Sequence, residues 1–266
     1  MANANASPAY NNLGNSDPPA VVLARELALS GEYQQTTHMI GLETAAWLIE
    51  HSHGYMTPAN RDRLSPVYLR PHLIAVPMDA MPQIYRLDNT PDPSPSHRIE
   101  GFFLRKSGFI VVGLDDGHTR WNTFDDATRQ RWVRYAYNHE AVSTDLEESA
   151  IRNLETGQLQ QAVNEEVTHL AQARDLTKKS MEVLARWVQY DLRQSIGILK
   201  PTAEMERCHA YVEQLAAQYG KEAILSLNYG LHDGYDTRLL KQIEQQIIDA
   251  FPTLMPEGET HYNRYV

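Results

Sequence analysis

A disulfide-built scaffold is excluded at once, because the chain holds a single cysteine, Cys208, which has no internal partner. At 266 residues it needs no such staple, since a chain of this length buries a sizeable core as one large domain or two small ones. Long apolar runs are missing as well. None approaches the roughly 20 residues that a membrane-spanning helix requires, so no membrane span is expected. Positive charge is scarce: 24 Lys and Arg stand against 34 Asp and Glu, a formal net charge of −10. That balance disfavours a broad grip on phosphate backbones, and nucleic acid is not expected as a partner. The first residues, MANANASPAYNNLGNSDPP, lack the basic start and apolar stretch of a cleaved secretion signal. Their composition reads as a disordered leader over residues 1–18, followed by a single domain over residues 19–266. A cytoplasmic protein is expected, or one delivered into a target cell by a bacterial contact-dependent apparatus.

What is present divides the chain by pattern. Asp17-Pro18-Pro19 suits a helix start, with Val22, Leu23 and Leu27 at helical spacing behind it. A second helix is expected over Glu43 to His51, with Gly31 to Thr37 as loop. From Pro58 to Asp116 prolines are frequent and short apolar runs appear. Strands are predicted at His72 to Val76, Gln83 to Leu87, Gly101 to Leu104 and Phe109 to Leu114, the last two joined by a tight turn at Ser107-Gly108. The proline-rich stretch Asn89 to Ser96 reads as a loop. Thr123 is expected to open a helix that buries Trp132, Val133 and Ala136. From residue 145 to the end the period is helical and allows a helical subdomain over residues 145–266. Its helices are Leu146 to Glu155 closed by Gly157, Leu159 to Ala173, Lys178 to Tyr190, Ala203 to Tyr219 closed by Gly220, and Thr237 to Phe251. The fold class is therefore α+β: a small mixed or antiparallel sheet in the middle of the chain, flanked by helices, with a helix-rich C-terminal half.

One constellation carries a possible chemistry. Gln83-Ile84-Tyr85-Arg86-Leu87-Asp88, read as a strand, puts Arg86 and Asp88 on one face. The prolines and Gly101-Phe102 follow, then Ser143-Thr144, then Glu204-Met205-Glu206. This order resembles the cholera and pertussis toxin class of mono-ADP-ribosyltransferases. There, a strand reading Tyr-Arg-x-Asp precedes a proline-rich turn, a Gly-Phe, a Ser-Thr-Ser strand and a catalytic glutamate. The resemblance spans Gln83 to Glu206 and departs from the pattern at Asp145, which stands where the class has its second serine. It implies NAD as cofactor and a protein acceptor, with arginine as the acceptor side chain, and it suggests a bacterial effector or toxin. It also assigns roles. Arg86 would bind the diphosphate, for which its planar fork is suited, and Asp88 would orient it. Ser143, with Thr144 beside it, would support the nicotinamide end. Glu206 would be the catalytic carboxylate against the ribose, and Glu204 would activate the acceptor. His118 or His139 would complete the set.

The same residues have plainer readings. Arg86 can make a surface ion pair. Ser143, Thr144 and Asp145 can cap the Leu146 helix, and Thr202 with Glu204 and Glu206 fits the cap and first turn of a helix. In a regular helix, two positions apart diverge by about 200°, which would point Glu204 and Glu206 in opposite directions.

Two further function classes are open. Glu166-Val167-Thr168-His169 and Glu206-Arg207-Cys208-His209 both have the Glu-x-x-His spacing with which di-metal helical bundles aim a carboxylate and an imidazole at one site. Glu182, with Glu140 or Glu148, would supply the partner carboxylates. The other class is a non-enzymatic helical adaptor or immunity-type protein whose acidic surface docks a basic partner. Cys208 reads as a buried small hydrophobe, and His51 and His53 as residues of the loop after a helix.

Overall fold

The computed structural model describes residues 17–87, 100–104, 107–139, 146–196, 201–252 and 254. Three strands form a mixed sheet in the order β1-β3-β2: β1 (Leu73–Pro77) runs parallel to β3 (Phe109–Leu114), and β2 (Gly101–Leu104) pairs antiparallel with it. The strands are apolar at almost every position because both faces of the sheet are covered. Leu73, Ala75, Ile110, Val112 and Phe103 join the main core, whereas Ile74, Val76, Val111, Phe102 and Leu104 join a second cluster with Ala20, Val21, Ala24, Met81 and Ile84. The period-two alternation of the strands thus sorts one apolar run into two cores. The predicted tight turn between β2 and β3 places Gly108 at φ 77°, a conformation glycine adopts without strain.

The second face is covered by α1 (Pro19–Glu26) and α5 (Met81–Leu87). The Gln83 to Leu87 segment was expected as a strand and is helix α5. Met81 and Ile84, three apart, are both buried there, which is a helical stripe and not a strand alternation. Arg86 is therefore an exposed helical residue, and the argument that placed Arg86 and Asp88 on one strand face does not apply. Asp88 and the proline-rich segment lie outside the described residues.

The first face is covered by α2 (Gly31–His51) and α8 (Leu146–Ala171). Helix α2 includes Gly31 to Thr37, expected as loop. Gln34 Nε2 donates to the Ala75 carbonyl at 2.7 Å and a His38 ring nitrogen lies 3.1 Å from the Leu73 carbonyl, so contacts with β1 hold this first stretch in helix. Gly41 sits where a Cβ would come within 2.6 Å of Leu73 Cδ2, so the Leu73 side chain of β1 fills the space beside the bare Cα.

Helix α8 runs through Gly157, which was expected to end it. Leu154, Leu159, Ala162 and Val163 are buried on either side, and that packing outweighs the low helix propensity of one glycine. The remaining helices are α3 (Pro58–Arg63), α4 (Pro66–His72), α6 (Gly117–Asn122), α7 (Asp126–His139), α9 (Lys178–Ile196), α10 (Ala203–Tyr219), α11 (Lys221–Tyr229) and α12 (Thr237–Ala250). Thr123 ends α6 and does not open α7; Asp125 does, accepting from the Thr128 amide at 2.8 Å. Gly220 follows α10 as expected, at φ 94°. Among the described residues no helix is long and apolar enough to cross a membrane.

Candidate metal centre

Helix α8 is buried yet polar. Gln158, Gln160, Asn164, Glu166, Thr168 and His169 are all buried along it. On a helix of about 100° per residue, Glu165 and His169 share a face. That face meets α9, where Glu182, Arg186, Gln189 and Arg193 follow at i, i+4, i+7 and i+11 and form one polar stripe. Glu165, His169 and Glu182 each present a donor atom into the seam, all within 4.8 Å of one another, and among the described residues they are the one such group. His169 Nε2 lies 3.7 Å from Glu182 Oε1.

The imidazole is oriented from behind. Gln172 Nε2 donates to the Met181 carbonyl and to Asn228 Oδ1, both at 2.9 Å, which leaves its Oε1 as an acceptor. His169 Nδ1 lies 2.9 Å from that oxygen, so Nδ1 carries a proton and Nε2 is the nitrogen that faces the carboxylates. This is the arrangement in which an outer hydrogen bond prepares an imidazole to bind a metal.

The carboxyl groups differ sharply. Burial, and then the neighbouring Glu182, push Glu165 above the usual carboxylate range. Burial pushes Glu166 well above it, with Glu165 and Glu182 adding to the effect. Burial acts on Glu182 in the same direction, but His169 and Arg186 outweigh it and hold this carboxyl below its ordinary value. Arg186 Nη1 donates to Glu182 Oε2 at 2.6 Å, and its Nε pairs with Glu204 Oε1 at 2.5 Å. Glu166 points away from the donor set, toward β2. A Cβ at Gly101 would lie 2.9 Å from Glu166 Cγ, so the strand passes the carboxylic acid at glycine distance.

The residues singled out from the sequence fall in several places. Glu204 and Glu206 stand in the first turn of α10, whose cap Thr202 accepts from the Met205 amide at 3.2 Å; both are exposed, and Glu204 is engaged by Arg186. Arg86 is on α5, which packs on α1, whereas α10 packs chiefly on α9 and α11. Ser143 and Thr144 lie outside the described residues. The two Glu-x-x-His pairs do not form one site. His209 stacks on Tyr190 with ring centres 4.0 Å apart and faces Asp191 Oδ1 at 3.1 Å, and it is Glu165, not Glu166, that joins His169. His51 is the last residue of α2 and stacks on Trp47, with ring centres 3.8 Å apart. Cys208 is fully buried and its thiol is pushed up to about 11 by burial, as befits a packing residue.

A surface cavity of about 570 Å³ opens elsewhere, lined by Tyr33, Asp116, His118, Glu148 and Glu155 among others. One of its carboxylates is already used, since Glu155 accepts from the Gly117 amide at 2.9 Å and from the Tyr33 hydroxyl at 3.3 Å. No family model matches the chain, and neither a curated protein nor a solved structure matches it.

Proposed function

We propose that the protein is a helical metalloprotein whose centre is Glu165, His169 and Glu182, with one first-row divalent ion such as Mn(II) or Fe(II) as its cofactor. The observation that carries this reading is the convergence of two carboxylates and an imidazole within 4.8 Å, the imidazole having its tautomer set by Gln172. Donor atoms on one ion, bound at about 2.1 Å, stand about 3–4 Å apart. The 3.7 Å between His169 and Glu182 lies in that range, and small side-chain rotations close the rest of the set. Two carboxylates at this distance in a buried seam repel each other, and Arg186 relieves that repulsion only from the Oε2 side of Glu182. A divalent ion supplies twice the charge of one proton at the right place.

Three protein donors leave positions for water or an oxygen-bearing substrate. An ion held so acts as a Lewis acid or lowers the pKa of bound water. The protein's own part is to hold the donors, keep the seam largely dry and set which ring nitrogen faces the metal.

The test is elemental analysis after purification and after reloading. One equivalent of a first-row metal is expected in the wild type, with loss in His169→Ala and in the Glu165→Gln/Glu182→Gln double variant. A wild type that takes up no metal removes the reading.

A second reading, ADP-ribosyl transfer from NAD+ to a protein side chain, is supported by the order of elements from Tyr85 to Glu206 along the chain. Its weak point is Arg86, which stands on a helix. Incubation with labelled NAD+ and lysate decides it: labelling lost in Glu206→Gln supports transfer, and an unlabelled wild-type reaction removes it.

A further inference from the structure

The two oxygens of Glu182 do different things. Oε2 takes the Arg186 Nη1 donor at 2.6 Å, while Oε1 faces His169 Nε2 at 3.7 Å. Arg186 is held on another edge of its fork, where Nε meets Glu204 Oε1 at 2.5 Å. Glu204 has a fixed origin, because the Thr202 cap sets the first turn of α10. The line Glu204, Arg186, Glu182 thus runs from an exposed helix start to the buried donor set. We propose that Arg186 is a positioning residue that limits Glu182 to one ligand oxygen, that Glu204 is its anchor, and that the pair selects a first-row divalent ion over calcium. The inference rests on the metal reading above.

The chemistry follows from the ligand count. A carboxylate with one oxygen committed to a guanidinium offers only the other to a metal. Calcium takes 6–8 oxygens, often with a bidentate glutamate, and is poorly served by two single oxygens and an imidazole. Mn(II) and Fe(II) accept a mixed nitrogen and oxygen set with water in the open positions.

The full chain, stripped of metal, is titrated with Mn(II) and followed by the loss of the free-ion electron paramagnetic resonance signal, then challenged with calcium. The wild type is expected to hold one Mn(II) against a roughly 100-fold excess of calcium. In Arg186→Gln one Mn(II) still binds, but the preference over calcium falls by about tenfold or more as Glu182 becomes free to use both oxygens. Glu204→Gln moves the preference in the same direction by less. Arg186→Lys does not restore it, since an ammonium lacks the fork that reaches Glu182 and Glu204 together. If Arg186→Lys matches the wild type, charge alone is at work and positioning is wrong. If Arg186→Gln and Glu204→Gln keep the wild-type preference and bound-Mn(II) spectrum at one ion per chain, positioning is wrong although the metal reading stands. A wild type that binds no Mn(II) ends both. Should Arg186→Gln fail to fold, the exposed Glu204→Gln carries the test, with helical circular dichroism as the check on folding.

Discussion

His169 and Gln172 form a one-way hydrogen bond: Nδ1–H donates to Oε1 at 2.9 Å, and the amide cannot turn round because its nitrogen is committed to the Met181 carbonyl and Asn228. The Gln172 side chain just past α8, the Met181 carbonyl of α9 and the Asn228 side chain of α11 therefore decide which nitrogen of the histidine faces Glu165 and Glu182. The proposed metal affinity is then a property of three helices, of which two carry ligands.

Gln172→Leu tests that relation. With the tautomer no longer held, metal affinity is expected to fall about 10- to 100-fold while the ligands stay in place. Competition against a chelator of known affinity measures it.

Glu166 gives a pH signature. Its folded-state value is raised, so the folded protein keeps a proton that the unfolded chain gives up above the ordinary value of 4.5. Stability of the metal-free protein should then fall as pH climbs from about that value toward the folded one, and level off beyond it. Glu166→Gln, which needs no proton to stay neutral, should flatten that slope. Above the folded value it should be more stable than the wild type by about 1–3 kcal/mol, the ordinary penalty of a buried polar group that lacks a partner. Urea denaturation at several pH values reads both effects.

Metal binding runs the other way with pH. Glu165 is pushed up by burial and by Glu182, so a metal must displace its proton. Apparent affinity should tighten as pH rises out of the usual carboxylate range, with protons released on binding. Calorimetry in buffers of different ionisation heat counts them.

Asn60 predicts an order of variants. Its amide nitrogen is buried and faces the carbonyls of Ala171 and Gln172 at 3.1 Å and of Tyr229 at 3.4 Å. Asn60→Ala should cost about 1–3 kcal/mol, and Asn60→Asp should cost more, since it sets an acceptor against three acceptors. Thermal unfolding of the two variants beside the wild type gives the order.

Gly41→Ala should destabilise by about 1–3 kcal/mol through overpacking, because its new Cβ falls 2.6 Å from Leu73 Cδ2 at the α2 to β1 contact. Chemical denaturation monitors this without reference to metal.

Part of the site was legible before any fold. The Glu-x-x-His spacing points to His169 together with Glu166, three residues before it, and offers Glu182 only as one partner carboxylate from another helix. Spacings of three and four both keep a side chain near the face of His169. The choice between Glu165 and Glu166 was made by what stands opposite: α9 across from one, and the Gly101 backbone across from the other. Arg86 shows the reverse. Its Tyr-Arg-x-Asp surroundings read as a strand, but burial of Met81 and Ile84 under α1 made a helix. Gly31 to Thr37 is helix, tied to β1 by the Gln34 bond to Ala75, 41 residues away in sequence.

By itself the sequence determined the class and the long pieces: an α+β chain, the strands of its sheet, the helix start at Asp17-Pro18-Pro19, the cap at Thr202 and the stop at Gly220. Those features depend on local sterics and on periods of two and 3.6, which neighbouring residues carry in full. Tertiary structure alone decided which polar side chains of α8 face α9 and that Arg186 ties Glu182 to Glu204. Such pairings depend on desolvation and charge between helices, and those energies exist only once the helices are packed.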